Sequence, residues 1–172
     1  MDLSAFPLKH LEPRQCFLSR KPTLVSTVLG SCVAITMFDS RTRIGGMAHA
    51  FLPDSRNYPD DAGYPCKFVD TSIRHMLCVL RRLRVELPRL EVKLFGGGNS
   101  WNAEQTSARD APSFGSWASV GPRNVDAARA VITEHGLRIA AEEVGGSLGR
   151  KVLFLTHTGG VWVKKLRGRN GA

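Results

Sequence analysis

The sequence holds no apolar run approaching the roughly 18 to 20 residues that a membrane-spanning helix requires, so no membrane insertion is expected. It also opens without an export signal: MDLSAFPLKHLEPRQ has no charged segment leading into an apolar core, and the expected compartment is the cytoplasm. Cysteine is sparse and scattered. Cys16, Cys32, Cys66 and Cys78 form neither a CxxC pair nor a Cys/His cluster along the chain, which argues against a zinc site and predicts no bound metal. In a reducing compartment all four are expected as free thiols. Acidic residues are in deficit, 15 against 24 Lys and Arg, leaving a formal charge of +9. Such a surface favours an acidic partner. Nucleic acid is not the expected one, because the basic residues are dispersed and no aromatic-rich or zinc-finger signature accompanies them. Repeats and low-complexity linkers are absent too. One domain over residues 1–172 is predicted, with a core from about 8 to 165 and a loose tail over 166–172. Without an evident interface stripe, a monomer is expected.

What is present reads as strands at both ends with helices between. TLVSTVLG (Thr23–Gly30) and CVAITMFD (Cys32–Asp39) are apolar and β-branched, separated by a Gly30-Ser31 break. IGGMAHAFLP reads as a third strand with glycines inside it, where backbone passes close to something. From about Phe68 to Arg84, Ile73, Met76, Leu77, Leu80 and Leu83 recur at helical spacing, with Cys78 expected as a buried small hydrophobe. LEVKLF is a strand running into GGGNS, and an irregular Gly/Ser/Trp-rich stretch follows to Ser119. A second helix is expected behind Gly121-Pro122, capped by Asn124 and stopped by Gly136. LRIAAEEVGG and KVLFLTHTGGVWVKKL close the chain as strands, the last two joined at Thr158-Gly159-Gly160. The pattern predicts an α+β fold: a layered α/β/β sandwich of mixed and antiparallel strands with about two main helices.

A cysteine directly after Gly30-Ser31 is placed like a nucleophile. A thiol attacks as its thiolate, and a neighbouring imidazole is the usual means of making one. His49 lies on the next strand, and counting back from the turn near Arg41 puts Cys32 and His49 almost opposite each other. Cross-strand neighbours of this kind come within roughly 5 to 8 Å. A third group must fix the imidazole tautomer. Ser26 and Thr27 are the local candidates, and strand alternation sends their side chains to opposite faces, so at most one can serve. GGGNS lacks the GK[ST] ending of a phosphate loop. It reads instead as a close backbone approach.

STVLGSCVAITMFD followed by IGGMAHAFLPDS, and then KLFGGGN, VGPRNVDAARAVITEHGLRIAAEEVGG and GRKVLFLTHTGGVWVKK, resemble segments of the CheD family of chemoreceptor glutamine deamidases, in the family's order. The resemblance implies a cysteine-dependent amidohydrolase, a protein-glutamine glutaminase, with Cys32 as nucleophile and His49 as general base. The family's third residue, a threonine six positions before the cysteine, falls on Ser26 here, which keeps a hydroxyl but lacks the methyl that stiffens χ1. Thr27 would need a shifted strand to take its place. The resemblance further implies the cytoplasmic helices of chemoreceptors as substrate, a CheC-type phosphatase as partner, and no cofactor. Its alternative is a non-catalytic module of the same fold that binds receptors or a phosphatase.

Overall fold

The computed structural model describes residues 2–58, 63–99 and 120–166. Most of the irregular stretch expected up to Ser119 and nearly all of the expected tail lie outside the described residues. The described residues contain nine strands: β1 (Leu8–His10), β2 (Gln15–Ser19), β3 (Leu24–Leu29), β4 (Val33–Asp39), β5 (Ile44–Ala50), β6 (Glu91–Gly96), β7 (Ile139–Val144), β8 (Arg150–Leu155) and β9 (Val161–Lys165). Two α-helices accompany them, α1 (Val69–Arg82) and α2 (Val120–Glu134). One sheet runs β1-β3-β8-β9 and the other β2-β5-β4-β6-β7. Both are mixed, because β1 pairs in parallel with β3 and β6 with β7.

Alternation along each strand builds the layers. Val33, Ile35 and Met37 of β4 and Ala48 and Ala50 of β5 pack with Ile73, Met76, Leu77 and Leu80 of α1 and Val125, Ala128 and Ile132 of α2. The opposite faces meet the other sheet. Ala34, Phe38, Met47 and Phe95 pack there against Val25, Leu29, Val152 and Phe154. Each fully buried Leu, Phe or Met contributes about 1.5 to 3 kcal/mol of transfer free energy. This is the expected α/β/β sandwich.

Helix ends follow local chemistry. α2 stops in a double hydrogen-bonded cap, with Gly136 N–H on Thr133 O and Leu137 N–H on Ile132 O. Gly136 takes a φ of +68°, which L side chains rarely adopt. The helix already includes Val120, so Asn124 is an interior, fully buried residue rather than its cap. Cys78 is exposed on α1, contrary to expectation. The expectation of four free thiols also fails: Cys16 and Cys66 are joined as a disulfide. They stand 50 residues apart, so no sequence spacing brings them together; β2 and the segment before α1 do.

Candidate active site

The break at Gly30-Ser31 is where the chain leaves one sheet and enters the other, since β3 and β4 belong to different sheets. Cys32 sits just past this crossing, one residue before β4. The glycine run after β6 braces the crossing from behind. Gly97 N–H donates to Cys32 O and Gly98 N–H to Gly30 O, each at 2.8 Å. A Cβ on Gly96 would lie 2.3 Å from Cys32 O, and its φ of +100° suits glycine alone. What the triple glycine approaches so closely is therefore the backbone of the cysteine turn, at Gly96 and Gly98, and α2, at Gly97.

His49 lies opposite Ala34 in the β4–β5 register, two residues along from Cys32. Paired residues share a face, and both Ala34 and Cys32 pack into the core between the sheets. Cys32 and His49 thus take diagonal positions on one face, a relation that holds neighbours within about 7 to 8 Å and their Cβ atoms somewhat closer. His49 is buried, at 2% exposure.

The hydroxyl on His49 belongs to Thr27, not Ser26. Thr27 Oγ1 lies 2.7 Å from His49 Nδ1 and 2.7 Å from Leu11 O. The reason is parity. Val25 and Leu29 of β3 face the second sheet, so Thr27 between them does too, and Ser26 points the other way. Ser26 pairs in register with His10 and Leu153 and lines the wall of a cleft of about 300 Å³ that also reaches Glu12, Thr27, His49 and Lys151. Cys32 is not part of that wall.

Proton counting then fixes the tautomer. A carbonyl only accepts, so the single Thr27 hydroxyl proton goes to Leu11 O, and Thr27 must accept from Nδ1–H. Nε2 is left with its lone pair, buried and without a hydrogen-bond partner among the described residues. Burial drives both members of the pair towards neutrality. It pushes the Cys32 thiol from its ordinary 9.0 to about 11, against a smaller opposing effect of its own backbone N–H. It lowers the His49 pKa as well, with Leu11 O and the Glu12 carboxylate pulling the other way. At rest both groups are therefore neutral, a thiol and an imidazole on one face of the sheet. A thiol and an imidazole in these states have the chemistry of a nucleophile and a general base.

One residue escaped the sequence reading. Asn124 is fully buried, and its Nδ2 donates to Ser31 O at 3.0 Å and to Phe51 O at 3.1 Å. It ties the segment before Cys32 to the segment after His49. Its place five residues into a helix that packs against β4 gave no chemical signal in one dimension.

Comparison with known proteins places the chain in a family. The family model described as CheD chemotactic sensory transduction matches residues 51–165, beginning just past His49. Full-length relatives reach further. A protein of Maridesulfovibrio salexigens named "Probable chemoreceptor glutamine deamidase CheD" is 46% identical over 91% of this chain and 90% of its own. One from Geobacter sulfurreducens, named with the same words as CheD 2, is 43% identical over 93% of this chain and 91% of its own. A Thermococcus kodakarensis protein of the same name is 35% identical over 87% of each.

Proposed function

The chain belongs to the CheD family, and on that premise we propose that it is a protein-glutamine deamidase of chemoreceptor cytoplasmic helices, acting in chemotaxis through a thioester on Cys32. The observation that carries the reading is the His49 ring, whose Nδ1–H is held by Thr27 while a buried, unpartnered Nε2 shares a face with Cys32. His49 Nε2 takes the thiol proton as sulfur attacks the carboxamide carbon of a substrate glutamine. Backbone N–H groups of the Gly30–Cys32 turn are the proposed donors to the developing oxyanion, that of Cys32, which acts on its own sulfur, among them. Such donors are worth about 3 kcal/mol each. As the intermediate collapses, the imidazolium gives its proton to the departing amide nitrogen, and ammonia leaves. Water then gives a proton to Nε2 and attacks the thioester. Glutamate is released, and the thiolate recovers its proton from His49.

Thr27, rather than Ser26, is the proposed orienting hydroxyl, and its contact with His49 at 2.7 Å supports the catalytic reading over a non-catalytic module. The excess of basic residues suits acidic receptor helices. A CheC-type phosphatase is a second proposed partner, checked by co-purification, and a monomer in the cytoplasm is the proposed working form. No described helix is long and apolar enough to cross a membrane.

The test is mass spectrometry of a chemoreceptor cytoplasmic fragment after incubation with the wild type or with Cys32→Ala. Glutamine-to-glutamate conversion by the wild type alone supports the reading. Equal conversion by both proteins overturns the role of Cys32, and binding without conversion by the wild type overturns the activity.

A further inference from the structure

A second group of thiols and imidazole lies on the helix side of the same sheet. Cys16 is on β2, Cys66 stands shortly before α1, and His75 is on α1. The sulfurs are bonded with Cα atoms 6.0 Å apart, and one atom from each of the three residues lies within 4.8 Å of the other two. Cys66 is buried while Cys16 and His75 are half-buried, so the cluster is closed on one side and open to solvent on the other. The deamidation chemistry does not use it. Cys16 pairs with Ala48 of β5, a residue of the helix-facing core, whereas His49 beside it faces the other sheet.

Two sulfurs and one imidazole nitrogen are a borderline-soft donor set, with no carboxylate in the group, and such sets suit zinc-class cations. Zn–S bonds of about 2.3 Å and Zn–N bonds of about 2.0 to 2.1 Å place tetrahedral ligands within roughly 4 Å of each other. The three atoms already lie near that spread, and only the two sulfurs must separate. The segment carrying Cys66 is a turn rather than a strand, which lets it yield.

We propose that Cys16, Cys66 and His75 form a redox-gated site for one zinc-class divalent cation. An external dithiol opens the gate by thiol–disulfide exchange: it gives two electrons and two protons to the Cys16–Cys66 bond and leaves as its own disulfide. The cation then displaces the two thiol protons and binds both sulfurs and the imidazole, its fourth position open to water. Oxidation of the metal-free dithiol by a disulfide oxidant restores the bond and closes the site. The proposal is independent of the deamidase reading.

The experiment uses Cys32→Ala/Cys78→Ser protein, in which only the two cluster thiols can respond. It is reduced with dithiothreitol, desalted without oxygen, titrated with cobalt(II) and then challenged with zinc. One cobalt per chain is expected, with thiolate-to-cobalt charge-transfer absorption that zinc abolishes. Adding Cys16→Ser or Cys66→Ser should remove that band. Adding His75→Ala, which leaves both cysteines in place, should weaken binding by at least the roughly 10- to 100-fold that loss of a supporting partner costs a metal site. The oxidised protein should bind none. The proposal is overturned by a reduced protein that takes up no cobalt, by uptake indifferent to Cys16→Ser and His75→Ala, or by equal uptake in the oxidised form.

Discussion

At the scale of single residues, the position of one proton decides how His49 can work. With the Thr27 hydroxyl committed to Leu11 O, Nδ1 keeps its proton and donates towards Thr27 and Leu11 O, and Nε2 stays a base. Thr27→Val removes one acceptor and leaves the ring N–H with Leu11 O alone, a loss of about 0.5 to 1.5 kcal/mol. That predicts a fall in kcat of roughly two- to tenfold, with folding intact by circular dichroism. Thr27→Ser should retain most of the activity, and Ser26→Ala should cost far less than Thr27→Val. The two shifted groups set the pH behaviour. Because burial lowers the His49 pKa, the base is neutral, and kcat holds, to a pH below the usual imidazole range; rate profiles should show an acid limb below 6.5. The thiol has the opposite linkage. Its folded pKa of about 11 exceeds the ordinary 9.0, so the neutral thiol favours the fold and stability is lost as pH rises from about 9 to about 11. Urea unfolding of the wild type should show a steeper alkaline decline than Cys32→Ala; equal slopes would refute this account of the thiol.

At the scale of elements, the site is held by pieces that carry no reactive group. The glycine run after β6 and the Asn124 amide grip the Cys32 turn from two sides, through Gly30 O, Ser31 O and Cys32 O. Asn124→Ala removes that donor from the half-buried Ser31 and Phe51 carbonyls, and for the lost hydrogen bonds it should destabilise by about 1 to 3 kcal/mol and depress kcat. Asn124→Asp, which keeps the shape but loses the donors, should not rescue it; rescue measured by kcat and urea midpoint together would reject the clamp. The strands around Cys32 and His49 and the stripe of α1 could be read from the sequence because their alternation is strong and local. The short edge strands β1 and β2 could not: β1 is exposed along its whole length and β2 is only partly buried, so neither shows a buried face. Nor could the choice between Ser26 and Thr27, since alternation says that they diverge but not which parity faces the second sheet. That depends on β3 and β4 parting into separate sheets, and the same crossing explains why Gly30-Ser31 precedes the cysteine.

At the scale of the whole molecule, the Cys16–Cys66 bond closes a loop that contains Ser26, Thr27, Cys32 and His49 and passes through both sheets. A cross-link of this kind acts chiefly by restricting the unfolded chain, and for a loop of this length the chain-entropy account gives about 4 kcal/mol, of which native disulfides commonly deliver about 2 to 4. The site residues themselves are positioned by other contacts: Thr27 and Leu11 for the imidazole, the glycine run and Asn124 for the thiol. Reduction should therefore lower the free energy of unfolding in urea by about 2 to 4 kcal/mol, with a chelator present to keep metals out of the comparison. It should leave kcat at moderate temperature nearly unchanged. Cys16→Ser should start at the lower stability and show no further response to the reductant. Should kcat instead fall on reduction while unfolding is unaffected, β2 would be setting the position of His49 through its pairing with β5. The division between a stabilising cross-link and an independently held catalytic face would then be wrong.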